Sequence, residues 1–167
     1  MSLPRPYDEA VPDQRPPRVT GGDRAVLTAL LQFQPESLLR KLDGVDAAAA
    51  RWSPVGTGTC LLWLVKHLAQ AELMWVAVRF AGLDTELPDE TVREGDTAES
   101  VSAGYRAAAA RADELIAAAG LDDPCQRVPG DEPLPLRWVV AHLLAETARH
   151  AGHADILREL IDGSTGR

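Results

Sequence analysis

Near the C-terminus, three of the four histidines fall with one glutamate on a single helical stripe. At about 100° per residue, a stripe centred on Glu146 holds Val139, His142, Leu143, His150, His153, Leu157 and Leu160. Both ends of this stripe are apolar, so it should face a core, while its middle carries a carboxylate and three imidazoles. A buried carboxylate without a partner costs several kcal/mol or takes up a proton. A second helical stretch shows the same interruption: His67 is the one titratable group on the stripe Cys60, Trp63, Leu64, Ala71, Met74 and Val78. A divalent cation accounts for both. Glu146 and His150, at i and i+4, can reach one ion, and His67 can supply a third ligand from a facing helix. Two imidazoles and a carboxylate leave coordination positions open, the pattern of a catalytic site and not of a closed structural one. The mixed nitrogen and oxygen set suits Zn²⁺, Ni²⁺ or Fe²⁺ without choosing among them. Spacing alone leaves the register open, because His142 and Glu146, or His150 and His153, can pair in the same manner. The competing account is a set of hydrogen-bonded core histidines.

These residues need long helices to carry them, and the pattern supplies four. After Gly21-Gly22, Asp23 can cap a helix through Val26, Leu27, Leu30, Leu31, Leu38 and Leu39, ending by Gly44. Pro35 is expected to kink or split it near Phe33 or Gln34. A short alanine-rich piece spans Asp46 to Arg51. The second long helix runs from about Thr57 or Thr59 to Ala81, with Gly82 as its left-handed stop. The third starts at Asp96, with Glu99 completing a capping-box variant, and runs to Gly120. Pro133 and Pro135 stand at the entrance of the fourth, where a proline lacking its N–H is tolerated; that helix ends at Ile161 or Asp162, before Gly163. Residues 83–95 and 121–134 read as loops. No alternating strand pattern appears, so the fold class is an all-α four-helix bundle. The expected organisation is an extended or disordered, proline-rich N-terminal arm over 1–21, the bundle over 22–163 and a flexible tail over 164–167.

Composition narrows the partners. The chain has 167 residues, 46% of them hydrophobic, enough for one domain with a real core, and a net charge of −8. That charge argues against a phosphate-backbone binder and against an anionic membrane surface. No run of 18 apolar residues points to a membrane span, and the first residues have no signal-like apolar region; a cytoplasmic location is expected. Two cysteines, Cys60 and Cys125, without a CxxC pattern, exclude a disulfide scaffold or a cysteine-rich zinc site.

The stretches LLWLVKHLAQAELMW (61–75) and LRWVVAHLLAETARHAGHADILRELIDG (136–163) resemble the DinB-like metal-binding superfamily, closest to its actinobacterial branch related to mycothiol-dependent maleylpyruvate isomerase. The resemblance extends in order and spacing over about residues 22–163. It implies a four-helix bundle whose divalent metal, usually zinc or nickel, is held by His67, Glu146 and His150, the branch having E-x-x-x-H where other members have H-x-x-x-H. It implies an outer, supporting place for His153, which stands where many members have Gln; His142, one turn before the first ligand, is also not a usual ligand. It further implies mycothiol as a co-substrate, with S-transfer or thiol-assisted isomerisation as the chemistry.

Three functions follow as expectations. The first is a thiol-dependent metalloenzyme acting on a small-molecule electrophile, with His153 or His142 orienting a ligand or relaying a proton. The second is a hydrolase using metal-bound hydroxide. The third is a non-catalytic, metal-containing bundle that binds a small molecule or a partner protein. A homodimer is expected, from the apolar surplus on the second helix with Trp63 and Trp75 on different faces. Among the remaining residues, Glu72 is expected in a structural ion pair, Trp52, Trp63 and Trp138 as core or wall, Cys60 as a small buried hydrophobe, and Arg149 and Arg158 at the surface.

Overall fold

The structure, a computed structural model, describes residues 14–127, 130 and 133–166. Most of the arm expected over 1–21 lies outside the described residues, and residues 14–20 are without helix. Four long helices form the bundle: α1 (Asp23–Leu39), α3 (Leu61–Glu72, prolonged by a π-helical stretch Leu73–Phe80), α4 (Ala98–Ala117) and α5 (Leu136–Asp162), with a short α2 (Ala47–Arg51) and a 3₁₀ turn (Arg40–Leu42) between α1 and α3. The main packings pair α1 with α5 and α3 with α4. Among the described residues there is no strand, only one isolated bridge between Pro124 and Pro135.

The helix ends show which local signals hold. Asp46 caps α2, accepting from the N–H groups of Ala48 and Ala49, and Gly82 and Gly163 adopt the left-handed conformation (φ 68° and 77°) expected after a helix end. Others shift. Gly22, not Asp23, is the N-cap of α1, and Asp23 pairs with Arg137 instead. Thr97, not Asp96, caps α4: its side chain accepts from the Ser100 N–H while Ser100 reaches back to the Thr97 N–H. Asp96 is drawn into the preceding loop, where its carboxylate takes the Arg93 N–H and the Lys66 ammonium. α3 begins at Leu61, later than the threonines. Pro35 does not split α1. It is buried with Leu31, Leu38 and Leu39 on the core face, so packing outweighs the one backbone bond that a proline removes.

The core has two parts. One gathers Leu38, Leu42, Leu61, Leu64, Val65, Leu68, Tyr105 and Leu157; the other Leu31, Val76, Phe80, Ile116, Val139, Val140 and Leu143. Glu72 and Thr147, both buried, stand in chain order between the two on their helices. The α3 helix with its π extension, Leu61–Phe80, is long and apolar enough by composition to cross a membrane, but half of its most apolar window is buried inside the bundle. It is the central core helix of this fold.

On both helices that carry candidate ligands the buried face is rotated from the stripe inferred from periodicity and shares only part of it, Val139, Leu143 and Leu157 on α5 and Leu64 on α3. On α5 it is Leu136, Val139, Val140, Leu143, Thr147, Ala154 and Leu157, while Leu160 of the inferred stripe is 57% exposed. On α3 it is Leu61, Leu64, Val65, Leu68, Ala69 and Glu72, with His67 at its margin. Glu146 and His67 therefore sit at the rim of the core and not at its centre.

Candidate metal centre

His67 lies in the middle of α3, and Glu146 and His150 lie one turn apart on α5. Each offers one ligand atom, and these atoms lie within 4.8 Å of one another. Glu146 Oε1 is the meeting point: His150 Nε2 is 3.1 Å from it and His67 Nε2 is 3.6 Å from it. The two imidazoles meet edge to face, centroids 4.9 Å apart at 76°. Zinc bonds of about 2.0–2.2 Å in tetrahedral array need donors roughly 3.3–3.6 Å apart; the two distances to Glu146 Oε1 lie near that range, and the three atoms match a first-row divalent cation in donor type. Protonation states fit as well. Burial holds the His150 imidazole below its ordinary pKa, against the pull of Glu146. Burial works against the Glu146 carboxylate too, but the hydrogen bond from His150, with the charge of Arg149, brings its pKa below the ordinary value. A neutral imidazole and an ionised carboxylate are the forms that bind a metal.

The rim position gives access. The side chains of His67, Glu146 and His150 are 25%, 19% and 12% exposed. Beside them opens a cleft of about 640 Å³, walled by Trp63 and by Glu90, Thr91, Val92, Arg93 and Glu94 of the loop before α4, with Arg51 and Cys60 at its edges. Two of these wall residues touch His67 directly. Trp63 stacks on its ring, centroids 4.8 Å apart at 14°, and Glu90 Oε2 is 2.9 Å from its Nδ1.

The outer residues separate. His153 Nδ1 is 3.3 Å from His150 Nδ1, the side of the ring away from Glu146, so the structure brings His153 to the cluster. It does not bring His142: that ring stacks on Trp138 (4.9 Å, 11°) and meets Trp75 edge-on (4.6 Å). Among the described residues no hydrogen bond joins His142 to His67, Glu146 or His150. The reason is the aromatic cluster it completes with Trp75, Trp138 and the Arg79 guanidinium over Trp75. Arg149 is not idle at the surface, since its Nη1 lies 3.3 Å from Glu146 Oε2 and secures the second carboxylate oxygen. Arg158 instead ties Asp162 and the Lys41 carbonyl. Cys60 is buried at the start of α3, and Cys125 is buried, with its thiol pushed up by burial.

Glu72 departs from its expected ion pair. It is 2% exposed and takes part in no salt bridge among the described residues. Burial, then the charge of Asp113, push its pKa up to about 7, and the nearby Tyr105 hydroxyl offsets only part of this. Glu72 Oε1, the Tyr105 hydroxyl and Thr147 Oγ1 are buried without a hydrogen-bond partner of good geometry. Sequence periodicity missed Glu90, Tyr105 and Thr147. Glu90 stands 23 residues from His67 in a stretch that reads only as polar loop. Thr147 and Tyr105 look like ordinary members of their helices.

Comparison with known proteins adds the following. A family model described as mycothiol-S-transferase matches residues 26–163. No curated protein matches the chain. A crystal structure of a conserved protein from Enterococcus faecalis superposes with a TM-score of 0.64 at 19% identity, covering 87% of this chain and 100% of that one; at this identity the likeness is one of fold.

Proposed function

This chain belongs to the mycothiol S-transferase family, and on that premise we propose that it is a zinc-dependent enzyme that transfers the sulfur of a small thiol, mycothiol, to a small electrophile. The observation that carries this reading is the convergence of His67 Nε2 and His150 Nε2 on Glu146 Oε1 beside an open cleft. Three protein donors with an exposed side favour a site that admits a reactant over a closed structural one. A divalent cation held there supplies Lewis acidity that lowers the pKa of a thiol at neutral pH. The chain's own residues do the rest. Glu146 contributes the one negative charge, with its second oxygen held by Arg149. Trp63 and Val92 offer apolar wall for the carbon skeleton of the electrophile, and the cleft is open to water, which takes up the proton the thiol releases and the leaving group that departs with its bonding electrons as sulfur bonds to carbon. The reading places this work in the cytoplasm, where small thiols stay reduced.

The test is elemental analysis of the purified protein, then turnover of an alkylating or arylating electrophile with and without mycothiol. One metal per chain, thiol-dependent conjugation, and loss of both in His67→Ala and His150→Ala are expected. Turnover that ignores the thiol would instead indicate hydrolysis. A metal-loaded protein without turnover would indicate a binding role.

A further inference from the structure

We propose that Glu90 is the positioning residue of the metal centre, fixing the tautomer and the ring orientation of His67 from the wall of the cleft. The two nitrogens of an imidazole point in divergent directions, and here each has its own carboxylate. Nε2 faces Glu146 Oε1 at 3.6 Å, toward His150. Nδ1 meets Glu90 Oε2 at 2.9 Å. Glu90 therefore cannot join the donor set into which Nε2 points. An ionised carboxylate only accepts, and Glu90 at 2.9 Å from Nδ1 is within hydrogen-bond distance whereas Glu146 at 3.6 Å from Nε2 is not, so in the neutral ring the proton sits on Nδ1 and the lone pair of Nε2 is left free toward Glu146 and His150. A carboxylate on the far nitrogen of a ligating histidine also raises its basicity and holds its plane.

The loop that carries Glu90 is built to hold it there. Lys66, the neighbour of His67, donates to the Thr91 carbonyl and to Asp96. Gln70, one turn on, donates to the Pro88 carbonyl at 2.9 Å. Arg51 donates to the carbonyls of Arg93, Glu94 and Asp96. The loop is thus docked on the same helix that presents His67, on both sides of it. With Trp63 stacked on the ring face, His67 is held on its face by α3 and at its edge by the loop.

The metal arm of the test rests on the reading under Proposed function; the tautomer arm does not. Zinc affinity is measured on the full chain by competition with a chelator of known strength. Glu90→Ala is expected to weaken binding about 10- to 100-fold. Glu90→Gln, which keeps an acceptor oxygen, should recover much of that loss. Asp89→Ala, which disturbs the same loop through Arg93 and Thr91 but touches no imidazole, should leave affinity near wild type. Long-range ¹H–¹⁵N spectra of the metal-free protein at pH 8.5 read the tautomer directly: Nδ1–H in the wild type, a mixture in Glu90→Ala. Unchanged zinc affinity in Glu90→Ala, or an equal loss in Asp89→Ala, overturns the assignment, as does an Nε2–H tautomer in the wild type. A wild type that takes up no zinc while showing the Nδ1–H tautomer defeats the metal reading and leaves Glu90 as the residue that orients His67.

Discussion

A single side chain, Glu72, carries a cost that pH should reveal. Its pKa stands at about 7 against an ordinary 4.5, because burial and the neighbouring charge of Asp113 disfavour the ionised form. The sign follows from linkage. A group whose folded pKa is raised contributes stability that is complete below the unfolded pKa and is lost as pH rises through the folded one. The Glu72 contribution is therefore full below about 4.5 and gone above about 7, a difference of about 3 kcal/mol. Charged groups on the surrounding helices, Asp113 and Arg106 on α4 and Glu36 on α1, are present in the variant as well, so comparison with Glu72→Gln isolates the effect. Urea denaturation across pH 4.5–8.5 should show the stability of Glu72→Gln gaining about 3 kcal/mol on the wild type as pH rises. Parallel curves would mean that Glu72 is ionised in the folded state without penalty. The sequence pattern places Glu72 about 140° around the helix from His67, away from the candidate ligands, but gives no hint that the far side is the more deeply buried one.

Helices were the most legible feature of the sequence, because 3.6-residue periodicity and glycine stops act locally. What resisted reading was rotation and register. Met74 and Val78, grouped with His67 by a 100° wheel, are half-buried as His67 is, while the buried face of this helix runs through Leu64, Val65, Leu68, Glu72 and Val76; the π-helical stretch Leu73–Phe80 has more residues per turn than the period assumed and brings Ala77 inside as well. On α5 the rotation has another source: Val140, Thr147 and Ala154 are 0% exposed but fall outside a stripe centred on the charged Glu146. At α4 the cap lies one residue beyond the expected Asp96 because Asp96 and Thr97 are both good caps, and only the partners of Asp96, Lys66 on α3 and the Arg93 N–H, settle which one turns inward. Thr97→Ala should therefore destabilise the protein by about 1 kcal/mol, a fall of roughly 2–4 °C in melting temperature. A loss of that size is checked by calorimetry, and an unchanged transition would return the cap to Asp96.

At the scale of the whole molecule, the three candidate ligands link helices that are far apart in the chain. His67 belongs to α3 and the other two to α5, with α4 and two loops between. The bundle folds around an apolar core that does not need the metal centre for its burial, since the ligands sit at its rim, yet the centre places one carboxylate and two imidazoles in a partly desolvated space. A cation bound there offsets that cost and joins α3 to α5, and binding to the folded form alone stabilises it by mass action. At free zinc a hundredfold above its dissociation constant the gain is about 2.7 kcal/mol, or roughly 5–10 °C in melting temperature for a chain of this size. Addition of a strong chelator should reverse the rise. His67→Ala and His150→Ala should abolish it, whereas His153→Ala, which touches His150 on its far nitrogen, should keep the rise and only move it to about 10- to 100-fold higher zinc. His142→Ala, remote among Trp75 and Trp138, should leave the zinc dependence untouched while lowering the baseline stability. If the rise survives His67→Ala but disappears in His153→Ala, the site must be rebuilt around His150 and His153, and α5 alone would hold the ion.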